Sequence, residues 1–265
     1  MEIFEEVLRL KREEKYSAIA TIVQCIGSAP QKTGAKMLVR DDGTTMGTLG
    51  GGCIEAQVIH SAMLAMRDGS PATVPFNLNG KEGGLVCGGK ILVYIEPVVP
   101  EPHLVILGAG HVGKALSSLA EFSGFRVTVV DDREEYANKE NVPDAHNVVV
   151  NDFRNVFSDC GNEPPPTTRV TVDKRSYVVI ATRGHNHDLD ALRSALKTEA
   201  CYIGLVGSKR KREMLFKTLS GEGFSDDDIQ RVIIPVGLPI GSVTPEEIAI
   251  SIMAQIIQKR RGNVS

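Results

Sequence analysis

The stretch His103-Leu104-Val105-Ile106-Leu107-Gly108-Ala109-Gly110-His111-Val112-Gly113 decides the fold of the larger part of this chain. Its first half is a short, nearly continuous apolar run, as expected of a parallel strand buried on both faces. Three glycines then open a helical pattern. Gly108 permits a tight turn, Gly110 lets the backbone approach a pyrophosphate, and Gly113 allows close packing of helix on strand. A phosphate would rest on the helix N-terminus, beside His111. Asp131 ends the next strand, where a carboxylate can accept from a ribose hydroxyl and favour NAD-like over NADP-like ligands; Arg133 nearby weakens that preference. The plainer alternative is a domain that keeps this fold and no longer binds a nucleotide.

Outward from this stretch, strand candidates recur at Arg126–Val130, Asn147–Val150, Tyr177–Ala181, Tyr202–Val206 and Val232–Val236, mostly separated by helical stretches. A Rossmann-like doubly wound parallel sheet is the economical solution. Ligands of such sheets bind beyond the carboxyl ends of the strands, and the unusual residues gather there. Thr182-Arg183-Gly184-His185-Asn186-His187-Asp188 follows the fourth strand, and Gly207-Ser208-Lys209-Arg210-Lys211-Arg212 the fifth. The basic cluster opposes the dipole of the helix it opens, which a bound anion relieves; a solvated surface patch is the alternative. His185, His187 and Asp188 have metal-binding chemistry, but Asn186 or Asp188 capping the following helix is the favoured reading. The last helix is signalled by Thr244-Pro245-Glu246-Glu247 and closes on Lys259-Arg260-Arg261-Gly262.

Residues 1–99 form a smaller α+β domain, and 100–265 the Rossmann-like one, with the proline-rich 97–102 between them. The first domain opens with a helix over Glu2–Arg12 and a β-rich run over Ser17–Cys25. A hairpin is expected around Asp41-Asp42-Gly43, and a strand over Lys90–Glu96. Its decisive segment is Gly47-Thr48-Leu49-Gly50-Gly51-Gly52-Cys53-Ile54-Glu55. Ile54, Val58, Ala62, Ala65 and Met66 follow at helical spacing, so Cys53 stands at a helix start behind bare glycines. A helix N-terminus lowers a thiol pKa, which suits a nucleophile or a metal ligand equally. A small buried cysteine at a tight turn is the commoner fate of a free thiol. Cys87 precedes Gly88-Gly89 in similar fashion, and the two thiols are candidates for one shared cleft. Cys25 and Cys201 lie in apolar runs and are expected to be more buried.

The composition is that of an ordinary globular protein, with 42% hydrophobic and 24% charged residues and a net charge of −3. That balance gives no argument for nucleic acid or an anionic membrane as partner, and no run is long enough for a membrane span. Five widely spaced cysteines suggest reduced thiols in a cytoplasmic protein.

Taken in order, these motifs resemble the XdhC/CoxI family, the accessory proteins of xanthine dehydrogenase and related molybdenum hydroxylases. The resemblance rests on Gly27-Ser28-Ala29-Pro30, Gly34-Ala35-Lys36-Met37, Gly47–Glu55 and Cys87-Gly88-Gly89 in the first domain. In the second it rests on Gly108–Gly113, Thr182–His185, Gly204–Lys209 and Gly241–Ala249. It implies a chaperone that binds the molybdenum cofactor, a molybdopterin in which a dinucleotide form is an option, protects it during sulfuration and passes it to an apo-hydroxylase. A sulfur-donor protein and a second copy of the chain are the further partners expected. The expected site then comprises Gly51, Gly52, Cys53 and Cys87 at the molybdenum end, with Cys53 the metal ligand. Gly108, Gly110, His111, Gly113, Asp131, Arg183, His185, Ser208, Lys209 and Arg210 would form the phosphate end or bind a separate NAD. No catalytic residue is assigned. The competing classes are an NAD-dependent oxidoreductase using His111, His185 or His187, and a nucleotide-binding redox sensor.

Overall fold

A computed structural model describes residues 2–77, 89–157 and 170–262. The chain divides into two compact units, Met1–Pro100 and Glu101–Ser265.

The first unit begins with α1 (Glu2–Arg12) and then builds an antiparallel sheet from β1 (Ser17–Ile26), β2 (Lys36–Arg40), β3 (Thr45–Gly47), β4 (Ala72–Asn77) and β5 (Lys90–Val98), in the order β3-β2-β1-β5-β4. Ser17 stands opposite Arg40 on one side and Val98 on the other. The β2–β3 hairpin turns at Gly43, which has φ +80, and the Asp42 carboxylate accepts from the backbone and hydroxyl of Thr44. Helix α2 (Gly52–Asp68) lays Ile54, Val58, Ala62, Ala65 and Met66 on the sheet, against Ala18, Ala20, Ile22, Val93 and Ile95. Each large side chain in that seam contributes about 1.5–3 kcal/mol by leaving water. The helix stops at Gly69, in the left-handed conformation. The sequence reading had no counterpart for β4. Its Pro75 argues against a strand, and the sheet order resolves the conflict: β4 is an edge, where a missing N–H costs no ladder bond.

The second unit holds β6 (His103–Leu107), β7 (Arg126–Asp131), β8 (Asn147–Val150), β9 (Tyr177–Ile180), β10 (Tyr202–Leu205) and β11 (Val232–Ile233). All pairings are parallel, in the order β11-β10-β9-β6-β7-β8. The winding reverses between β9 and β6, so the switch point lies at their carboxyl ends. Strand residues alternate between two cores. Leu104, Ile106 and Val179 face Leu116 and Ala120 of α3 (His111–Phe122), and Ile252 and Ile256 of α7 (Pro245–Arg261). Val105, Leu107 and Val178 face Leu189 and Leu192 of α4 (His185–Leu196), and Leu215 and Leu219 of α5 (Lys209–Gly221). A short α6 (Asp226–Gln230) precedes β11. β11 is shorter than the apolar run Val232–Val236 predicts because Pro235 has no N–H to continue the ladder. Among the described residues, β7 and β8 are joined without a helix.

Candidate functional site

In the first unit the motif loops converge. A Cβ on Gly50 would stand 2.3 Å from Pro30 Cγ, and one on Gly89 would stand 2.2 Å from the Ser28 carbonyl oxygen. The loops Gly27–Pro30 and Gly47–Gly52 and the chain at Gly89 therefore meet at one place, and Gly50 and Gly89 are glycines because no side chain fits. Gly51 and Gly52 are different. Both have positive φ (78 and 64), and a Cβ on Gly51 would meet nothing within 4 Å among the described residues. Gly51 is the N-cap of α2 and offers no side-chain cap to the first N–H groups of the helix.

The shape of this turn is held by Glu55, to which the sequence reading gave no role. Its Oε1 accepts from the Thr48 hydroxyl at 2.6 Å and from the N–H groups of Leu49 at 2.9 Å and Gly51 at 3.0 Å. Burial pushes this carboxyl up, but the hydrogen bonds from Thr48, Leu49 and Gly51 prevail and hold it below the usual range. The signal was available in the sequence, as a glutamate four residues after the N-cap glycine. Cys53 occupies the second position of α2; its side chain, and the whole of Cys87, lie outside the described residues, as does any shared cleft between the thiols. Cys25 is half-buried, with its thiol near the Gln31 carbonyl. The burial expected of Cys201 is corrected: it is exposed, because β10 starts one residue later and leaves it at the rim of the sheet.

In the second unit the glycine loop divides in the same way. A Cβ on Gly108 (φ +113) would lie 2.3 Å from the Ala181 carbonyl oxygen, and one on Gly113 would lie 1.9 Å from the Gly108 carbonyl oxygen. Both are packing glycines. Gly110 has an ordinary φ of −72 and nothing within 4 Å of its missing Cβ, so no neighbour among the described residues requires a glycine there. It caps α3 without a side chain, and His111 is exposed at the first turn. Gly184 caps α4 in the same bare way, with φ 96. By contrast α5, α6 and α7 are capped by Ser208, Ser225 and Thr244, the last in a capping box with Glu247. Two uncapped helix N-termini therefore adjoin the switch point, their loops in contact through Gly108 and Ala181.

Around them lies a charged cluster. Asp131 is buried and accepts from Ala109 N (2.8 Å), from Arg133 N (3.1 Å) and from both ends of the Arg133 guanidinium fork. Burial pushes this carboxyl up, but Arg133 and the Ala109 N–H hold it below its ordinary value. With these acceptor positions used, Asp131 shapes the glycine loop, and a ribose hydroxyl would have to displace Arg133. That guanidinium also lies 3.7 Å above the Tyr136 ring. Arg183 forms a bidentate pair with Asp132, at 2.6 and 2.8 Å. His187 Nδ1 lies 4.0 Å from Asp132, and its ring packs edge-on against Phe153. His185 Nδ1 is buried without a hydrogen-bond partner among the described residues.

The capping role expected of Asn186 or Asp188 is corrected, because the positive φ of Gly184 lets α4 begin at His185. Asp188 instead lies 1% exposed, accepting from the Thr182 hydroxyl at 2.6 Å and pairing with Lys211 of α5. This splits the basic cluster. Lys211 points inward, Arg212 lies over Phe216, and Ser208 caps α5, leaving Lys209 and Arg210 exposed. Among the described residues no group of three or more His, Cys, Asp or Glu side chains is arranged to hold a metal. No helix among them is long and apolar enough to cross a membrane.

The family model for the XdhC Rossmann domain matches residues 104–256, more than half of the chain, and that for the XdhC and CoxI family matches residues 10–77. The chain belongs to the XdhC and CoxI family. It is similar to the uncharacterized protein YqeB of Escherichia coli K12, with 34% identity over 99% of this chain and 47% of YqeB, and so spans about half of that relative's length. It is also similar to PaoD of Escherichia coli K12, named as a molybdenum cofactor insertion chaperone, with 22% identity over 93% of this chain and 84% of PaoD. A crystal structure from Bacillus halodurans, described as a xanthine dehydrogenase, superposes with a TM-score of 0.52 and 25% identity over 98% of this chain and 96% of that one.

Proposed function

We propose that this protein is a molybdenum cofactor chaperone for a molybdenum hydroxylase such as xanthine dehydrogenase. The observation that carries this reading is the convergence of the motif loops on the bare N-terminus of α2, where Cys53 stands. The features of the site fit the group. Among the described residues nothing stands where a Gly51 side chain would be, the N–H groups without a side-chain cap favour negative charge, and cysteine thiolate suits a soft metal centre. Cys53 is assigned to the molybdenum, with Cys87 as second thiol. Glu55 keeps the turn in shape, and Gly51 and Gly52 let the cofactor approach the backbone. When bound, the cofactor would bring the redox-active molybdenum that the client enzyme uses; this chain's residues hold and shield it.

The crevice at the switch point, with Gly110, His111, Arg183 and His185, is assigned, within the second unit by itself, to a phosphate-bearing ligand such as NAD or a pterin dinucleotide. Lys209 and Arg210, exposed beside the Ser208 cap, supply positive charge for it. The same reading places the protein in the cytoplasm as a homodimer that meets a sulfur-donor protein before its client. PaoD, a family relative, supports the accessory role by its name. The test is molybdenum analysis and pterin fluorescence of the full chain purified from a molybdenum-replete cell. Molybdenum and pterin in near-equal amounts are expected; turnover of a hydride substrate with NAD, and no pterin, would replace this reading with an oxidoreductase.

A further inference from the structure

The sheet order β9-β6-β7 puts the glycine loop that follows β6 between the loops that follow β9 and β7. Arg183 belongs to the first of these flanking loops and Asp132 to the second. Their bidentate pair, 2.6 and 2.8 Å long, joins the two strands on either side of β6. The pair must therefore span the carboxyl end of β6, where Gly108 and Gly110 turn into α3. A carboxylate presents two oxygens to a guanidinium fork much as a phosphate does. Asp132 has other polar neighbours: Arg133 lies 3.9 Å away, and His187 Nδ1 4.0 Å. Arg183 has fewer alternatives, its next acidic neighbour being Asp131 at 3.9 Å, which is occupied by Arg133. Losing Asp132 would thus free Arg183, whereas an Asp132 released by Arg183 would keep Arg133 beside it.

We propose that the Arg183–Asp132 pair is a strap over the dinucleotide crevice, opened by a diphosphate ligand that replaces the Asp132 carboxylate as the partner of Arg183. This rests on the reading of the crevice as a phosphate site. Arg183 is then a phosphate-binding residue held in reserve, and Asp132 is an internal competitor that tunes affinity. The exchange preserves the charge-assisted bonds of Arg183, and the ligand adds contacts to the bare N-termini of α3 and α4. Both partners are partly open to water, with side-chain exposures of 42% and 23%, so the competition is modest in size.

The experiment is calorimetric titration of the full chain with ADP, and separately with inorganic pyrophosphate. Asp132→Asn, nearly the same in shape, should bind both about three- to tenfold more tightly than the wild type. Arg183→Gln should bind more weakly than the wild type, and the double variant should resemble Arg183→Gln alone. Thermal melts of each variant separate a lost site from a lost fold. Equal binding by the wild type, Asp132→Asn and Arg183→Gln would overturn the strap while leaving the crevice a nucleotide site. If neither ligand binds any correctly folded variant, the phosphate reading of the crevice fails, and the strap with it.

Discussion

Gly50 lies directly against Pro30, with 2.3 Å between the proline Cγ and the place a Gly50 Cβ would take. Two of the family's signature loops are thereby locked together. A Cβ on the adjacent Gly51 would have no neighbour within 4 Å among the described residues. Chemically identical residues one position apart thus serve packing in one case and access in the other.

That difference is measurable. Gly50→Ala combines a φ of +122 with a clash and should destabilise the first unit by about 2–4 kcal/mol in denaturant melts. Gly51→Ala meets, among the described residues, only the strain of its backbone at φ 78, ψ 179, about 1–3 kcal/mol. It should keep its fold and lose cofactor retention. Equal melting of the two variants would contradict the packing role of Gly50.

The Rossmann loop offers a parallel contrast. Gly110→Ala has an allowed φ and open space, so its stability should stay within about 1 kcal/mol of the wild type. Binding of ADP or NAD should nonetheless fall at least tenfold. Gly113→Ala, which would press on the Gly108 carbonyl, should instead lower the melting temperature. Calorimetry and melts on the same samples decide between the two roles.

Acid should destabilise the second unit through His103. This side chain is 8% exposed, bonded to the Thr128 hydroxyl at 2.8 Å, and burial and nearby Arg126 push its pKa down from 6.5 to about 4. The unfolded chain therefore takes up a proton near pH 6.5 that the folded chain refuses until about pH 4. The stability present above pH 6.5 is lost progressively between those values, by about 3 kcal/mol at most. His103→Gln should flatten that part of the stability–pH curve. An unchanged slope would mean that other groups dominate the acid response.

Much of the fold was legible because apolar period and glycine chemistry are local signals. The strand at His103–Leu107, the glycine turn and the capping box at Thr244 all follow from neighbours in sequence. What was hidden depends on distant pairings. Pro75 could join a strand only because β4 is an edge, and Asp188 found Lys211 only because α4 and α5 pack on the same face of the sheet. The partners that Asp131 has in this structure, the Ala109 N–H and Arg133, were not legible either. Asp132 was visible as a letter, but its partner Arg183, 51 residues on, was not.

The central claim is that Cys53 holds molybdenum. It is tested most directly by the molybdenum and pterin content of the full-length Cys53→Ser variant beside the wild type, each purified from molybdenum-replete cells. The substitution is nearly isosteric and replaces a soft thiolate with a poor ligand for a soft centre. The variant should melt like the wild type, bind nucleotide in the second unit as before, and carry less than about a tenth of the wild-type molybdenum, the tenfold loss expected from about 1.4 kcal/mol of ligand energy. A folded Cys53→Ser protein that retains molybdenum and pterin at the wild-type ratio would contradict the account.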